Sequence, residues 1–130
     1  MPSSVSHLEP ALQRALSKPH RIDITTTGRR SGLPRRIELV FHVIDGAIVI
    51  SGRPGRRDWY ANLLANPAMT LHLTGGPVVA DLPAIARPIT EPEERRRVME
   101  AVTRNWQAED HFEIFYRRSP LIEVTFPQAA

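Results

Sequence analysis

The sequence predicts a mainly β, α+β domain, a small antiparallel barrel with a few short helices. Three observations lead there. About six short segments alternate apolar and polar residues with a period of two, the pattern of half-buried strands. Tight-turn signals, Asp45-Gly46 above all, sit between such segments and imply hairpin connections. The chain has 130 residues, the size of one domain, which fits short antiparallel strands closing on themselves. The expected organisation is a single domain over 1–130, with 1–19 as an N-terminal helical segment.

Taken in order, Leu8, Leu12 and Leu16 form one helical stripe that Lys18-Pro19 ends. It predicts a short helix lying on the barrel or near its mouth. Arg21 to Thr27 alternates Ile22 and Ile24 with Asp23 and Thr25 and reads as a strand. A loop over Gly28–Pro34 follows. From Arg36 to Ile44, Ile37, Leu39, Phe41 and Val43 share one face, and Glu38, Val40, His42 and Ile44 the other. Ala47 to Ser51 returns after the Asp45-Gly46 turn. Asp58 is the expected cap of a helix from Trp59 to Ala65, stopped by Asn66-Pro67. Met69 to Leu73 and Val78 to Ile89 form a further hairpin through Gly75-Gly76, and Pro83 and Pro88 mark an edge or a bend. Thr90 and Glu93 suggest a capping box for a third helix, through about Asn105, that buries Val98, Val102 and Trp106. Glu109 to Arg118 is aromatic and mixed, and Pro120 to Phe126 reads as the last strand.

Composition excludes several chemistries. Without cysteine there is no disulfide, thiolate site, thiol nucleophile or iron–sulfur cluster. The five histidines show no paired metal-ligand spacing, so no metal is expected. No apolar run is long enough for a membrane span, and no signal-peptide pattern opens the chain, so the expected location is the cytoplasm. The net charge is +3, and the basic side is 16 Arg against the single Lys18. Seven of those arginines fall between Arg29 and Arg57, against Glu38 and Asp45 alone. So local a positive field points to an anionic partner, and arginine presents the planar fork that grips phosphate and carboxylate.

Three features carry the functional reading. Thr25-Thr26-Thr27-Gly28-Arg29-Arg30-Ser31-Gly32-Leu33-Pro34-Arg35 joins two strands. Its glycines permit an anion nest of backbone amides, Thr27 and Ser31 add hydroxyls, and the arginines add charge. It lacks the Walker spacing, and no helix follows it as a Rossmann fingerprint requires. Ser51-Gly52-Arg53 ends the third strand with small residues that let a planar ligand approach. In Asp58 to Pro67, Trp59 and Leu63 fall on a core-facing side, and Asn62 sits on a flank, able to donate to a ligand or to cap the neighbouring loop. Taken alone, the arginine loop reads equally well as a solvated basic loop, and plain structure is the better reading of the other two features.

In this order, TTxGRxSGxPR, a D-G hairpin, a small-Gly-Arg turn and WYxNLxANP closely resemble the deazaflavin-dependent nitroreductase family, strongly over residues 21–74 and weakly over Pro120–Phe126. The resemblance implies a split β-barrel akin to flavin-mononucleotide-binding barrels. It implies coenzyme F420, a deazaflavin with a ribityl phosphate and an oligoglutamate tail, as the source of a hydride for quinones, nitro compounds or other unsaturated acceptors. By the same resemblance, the loop with Arg29, Arg30, Ser31 and Arg35 contacts the phosphate and tail. Arg36, Ile37, Glu38 and Leu39, together with Ile50, Ser51, Gly52 and Arg53, flank the ring and ribityl chain. Trp59 and Asn62 close the pocket. Where the family carries substrate-side tyrosines, this chain has Trp106, His111, Phe112, Phe115 and Tyr116, and no role is carried over there.

The residues fit such a cofactor, which brings its own chemistry and needs no nucleophile or metal from the protein. Water, Ser51, His111 and Tyr116 are the candidate proton sources. Two rival readings remain: FMN on the same barrel, and a non-catalytic module for an anionic ligand such as nucleic acid or lipid. Against nucleic acid, Phe41 and Trp59 read as buried, which leaves no stacking platform. The expected partner is a small-molecule acceptor, with peripheral membrane contact for a quinone-like substrate and a homodimer as further options.

Overall fold

The computed structural model describes residues 5–127. The elements run α1 Pro10–Ala15, β1 Arg21–Thr27, β2 Pro34–Ile44, β3 Ala47–Ser51, α2 Asp58–Ala65, β4 Ala68–Leu73, β5 Ala80–Pro88, α3 Pro92–Asn105, a 3-10 turn Glu109–His111, α4 Phe112–Arg118 and β6 Leu121–Thr125. The six strands close into an antiparallel barrel in the order β1-β2-β3-β6-β5-β4. Among the described residues, no helix is long and apolar enough to cross a membrane.

Strand alternation builds the core as the sequence predicts. Ile22 and Ile24 point inward from β1, Phe41 from β2, Ile48 and Ile50 from β3, Leu71 from β4 and Ile122 and Val124 from β6. The β2–β3 turn takes positive φ at both Asp45 (51°) and Gly46 (78°), which twists the hairpin in the hand the strands prefer. Pro83 lies opposite Thr70 of β4, in the stretch of β5 before its ladder with β6 begins at Ile85. Its missing N–H therefore falls where β5 has one neighbour, the edge position that a proline tolerates.

A second apolar cluster covers the outside of the barrel. Ile44, Val49 and Leu121 pack there under Val98, Met99 and Val102 of α3 and Phe115 of α4. Hence β3 is buried on both faces. Arg95 fastens this layer: its guanidinium donates to the carbonyls of Tyr116 (2.7 Å), Ile89 (3.0 Å) and Ser119 (2.6 Å).

Several local expectations need correction. The N-terminal helix is confined to Pro10–Ala15; Leu12 packs on the core from this shorter helix and Leu8 from the segment before it. Asp58 does not cap α2. It is the first helical residue, after Arg57, and its carboxylate pairs with Arg29 instead. Thr90 does not cap α3. The carboxylate of Glu91 accepts from the N–H groups of Glu93 (3.1 Å) and Glu94 (2.8 Å), because Pro92 takes the first helical position and moves the cap one residue on. The mixed segment after α3 forms a fourth helix, whose Phe115 is an anchor of the second cluster. Trp106, expected as buried, is half-buried at the cap of α3. β2 starts at Pro34 and β5 runs over Ala80–Pro88, each shifted from its expected bounds.

His42 is buried on the outer face of β2 with Trp106 edge-on against it, ring centroids 4.8 Å apart. Asn105 Nδ2 donates to Nδ1 at 3.1 Å, and Nε2 has no partner among the described residues. A neutral ring tolerates this and an imidazolium does not, so burial holds His42 below the ordinary histidine pKa. The unfolded chain then binds a proton that the folded chain refuses. Stability is full above the ordinary histidine range, falls as pH drops through it, and levels off below the depressed folded value. Each unit of depression is worth about 1.4 kcal/mol. Chemical denaturation of the wild type and of His42→Phe between neutral and mildly acidic pH should show the wild type losing more stability. Parallel losses would exclude His42 as the cause.

Candidate cofactor cavity at the arginine loop

The loop between β1 and β2 is short and internally bonded. Gly28 N–H donates to Leu33 O (2.8 Å), and Gly32 N–H to Gly28 O (2.9 Å). Leu33 N–H donates to Ser31 Oγ (3.1 Å). Gly32 takes φ +71°, a conformation that L side chains rarely adopt. At Gly28 the constraint is space: a Cβ would lie 2.5 Å from Ser31 Oγ and 3.2 Å from Leu33 O.

Asn62 of α2 pins this loop to the helix. Its buried Oδ1 accepts from the backbone N–H of Arg29 (3.1 Å) and from the Arg29 guanidinium (2.9 Å). Its Nδ2 donates to Thr26 Oγ1 (3.1 Å). Of the two roles open to Asn62, the geometry shows the loop cap. The amides of Gly28, Arg29, Gly32 and Leu33 are thus satisfied within the protein, so the expected backbone nest does not form from them. Positive charge here comes from guanidinium groups.

Around the loop lies a cavity of about 390 Å³. It gathers eight of the residues singled out from the sequence: Arg29, Arg30, Ser31, Arg35, Arg36, Ile37, Trp59 and Asn62. Four guanidinium groups face one carboxylate, Asp58. Arg29 pairs with Asp58 at 3.2 Å, and Arg36 with Asp23 at 2.7 Å. Among the described residues, Arg30 and Arg35 have no acidic partner within 4.0 Å. Two cations are therefore uncompensated at the mouth, and Ile37 and the edge of Trp59 supply an apolar wall.

The remaining sequence-selected residues lie outside this cavity. Glu38 is exposed and pairs with Arg21. Leu39 packs on the core and Ile50 is within it. Ser51 is buried, its Oγ donating to Pro120 O at 2.6 Å, with Gly52 against the Pro120 ring. Arg53 is exposed, its carbonyl accepting from Arg57. None of the candidate side-chain proton sources lines this cavity: Ser51 is committed to Pro120, Tyr116 donates to Pro92 O at 3.4 Å, and His111 lies in the 3-10 turn. Three lining residues had not been selected, Thr26, Gly28 and Asp58. Asp58 carried a signal, an acid facing the arginine run, that its expected capping role absorbed.

The closed antiparallel barrel is of the flavin-binding-like fold, with a basic cavity beside its first hairpin. The chain matches the model of the F420H2-dependent quinone reductase family over residues 6–124 and belongs to that family. It is accordingly an oxidoreductase, and its cofactor is coenzyme F420. Among solved structures, it is similar to an F420H2-dependent reductase at 25% identity, TM-score 0.59, covering 80% of this chain and 92% of that one. A conserved hypothetical protein of Mycobacterium tuberculosis shares the fold at 16% identity and TM-score 0.73, covering 98% of this chain and 86% of that one. So does HutZ, a heme storage protein of Vibrio cholerae, at 13% identity and TM-score 0.67, covering 94% and 92%. A sequence comparison with curated proteins gives no match.

Asn62→Ala should destabilise the protein by about 1–3 kcal/mol, since it strands the Arg29 N–H and the Thr26 hydroxyl. Asn62→Asp keeps both acceptor bonds to Arg29 and should lose less. Urea unfolding of the two variants checks the order; equal losses would mean that the loop is held by other contacts.

Proposed function

We propose that this chain passes a hydride from reduced F420 to a small unsaturated acceptor of quinone or nitro type, and that the arginine cavity grips the cofactor's phosphate and acidic tail. The observation that carries this is the pair of uncompensated arginines, Arg30 and Arg35, in a cavity where four guanidiniums meet one carboxylate. One phosphate alone does not require that many cations; a phosphate with several carboxylates does. A cavity of about 390 Å³ is at the small end of small-molecule sites. It fits the anionic part of a long molecule, while Ile37, 39% exposed, offers apolar surface to the part beyond.

In this reading the division of labour is simple. The cofactor supplies the hydride. Arg30 and Arg35 bind and neutralise its anionic end, Arg29 is held in place by Asn62 and Asp58, and Ser31 keeps a hydroxyl proton to donate. The acceptor itself meets the apolar side near Ile37. Leu33 and Val40 are exposed as well, and β2 from Pro34 to Val40 is paired with β1 on one side alone. That open edge supports a second copy of the chain as its partner.

Fluorescence titration with F420 should show saturable binding. Arg30→Ala and Arg35→Ala should each cost about 1.5–3 kcal/mol, on the order of ten- to a hundredfold in affinity. Unchanged affinity in both variants would remove the cavity from the cofactor site, and tighter binding of FMN than of F420 would replace the cofactor. Sedimentation tests the second copy: Val40→Lys should shift a dimer to monomer, and a wild type that is monomeric throughout would refute it.

A further inference from the structure

A second, larger cavity lies at the other end of β1, between α1 and the turn that joins β4 to β5. Its volume is about 710 Å³, well inside the range of small-molecule sites, about 300–1,000 Å³. Ala11 and Ala15 of α1 form one wall; Leu73, Pro77 and Val78 form the other. Between them Gly75 and Gly76 leave the surface bare, with no atom within 4 Å of where a Cβ would stand. The two cavities have no residue in common. The seven residues of β1 separate them, roughly 20 Å of extended strand.

The titratable groups that line it are all basic, and Thr74 adds a hydroxyl. Arg14, Lys18, His20 and Arg21 line it, and no Asp or Glu does. Two of these are already engaged. Arg21 pairs with Glu38 at 3.2 Å. The His20 ring nitrogens face the carbonyls of Ala15 (2.7 Å) and Arg21 (3.0 Å), and the ring packs edge-on against Phe41, so His20 is wall. Arg14 and Lys18 are different: among the described residues, neither has an acidic partner within 4.0 Å. A largely apolar cavity lined by two uncompensated cations suits a chain that is apolar along its length and anionic at its head. Water fills it poorly, because the walls offer few hydrogen-bond partners.

We infer that this cavity is a binding site for an anionic amphiphile, a single hydrocarbon chain ending in a carboxylate. Its body lies against Ala11, Ala15, Leu73 and Val78, and its head is held by Arg14 and Lys18. The site is independent of the hydride reaction, and its occupant is not the acceptor.

Calorimetric titration with laurate below its micelle concentration tests this, with octanoate as a shorter chain and dodecyltrimethylammonium as a cation of matched length. Laurate should bind at one site per chain, and each methylene removed should weaken binding up to about fourfold. The cation should bind at least tenfold more weakly. The double change Arg14→Glu with Lys18→Glu should weaken laurate tenfold or more, and Ala11→Trp, which fills the slot, should abolish binding. Both variants should bind F420 as the unaltered protein does, which shows that they are folded. Absence of saturable laurate binding, equal binding of the cation, or unchanged laurate affinity in either variant would each overturn the proposal.

Discussion

Closure of the barrel is the constraint on which the rest depends. A strand's N–H and C=O groups need neighbours on both sides, and here the ring is completed by β4 beside β1 and by β6 between β3 and β5. Lengths do not match around that ring. β1 pairs with β2 over Pro34–Val40, while β3 meets β2 only over Phe41–Ile44. The first half of β2 therefore projects beyond the closed sheet. Arg35, Arg36 and Ile37 stand on that projection, and the cavity exists because β2 outruns its second neighbour.

What fixes the loop against this projection is the Asn62 amide. A loop carrying two adjacent arginines would otherwise be a mobile, solvated turn. Asn62 holds Arg29 by backbone and side chain at once, and Asp58 takes the other side of the same guanidinium. With Arg29 neutralised by Asp58 and Arg36 by Asp23, the field at the mouth belongs to Arg30 and Arg35. The loop's hydrogen bonds consume the amides of Gly28, Arg29, Gly32 and Leu33, so the positive field here comes from side-chain charge.

The helices divide the remaining work. α2 supports the cavity through Trp59 and Asn62. By contrast, α3 and α4 form a second core on the far side of β3 and β6, and the aromatic segment after α3 goes into it. Phe112 and Tyr116 stack, with the Arg96 guanidinium over both rings.

The strands, the Asp45-Gly46 hairpin and the loop motif were legible in the sequence because each is a local signal: a period of two, a turn dipeptide, a run of arginines between strands. Caps were less legible: the Thr90–Glu93 spacing suggested a capping box, and the structure places the cap at Glu91, before Pro92. The cavity's lining was legible where it follows one hairpin and the helix start. It was not legible at Thr26, whose role arises from a contact 36 residues along the chain, with Asn62. Nor could spacing show that Ile50 and Ser51 face the core and Pro120. By itself, then, the sequence determined the strand pattern, the family and the charge that calls for an anionic cofactor, because these reside in neighbouring residues. Only the tertiary structure decided which arginines keep their charge available, because that depends on which acid each one meets when the barrel closes.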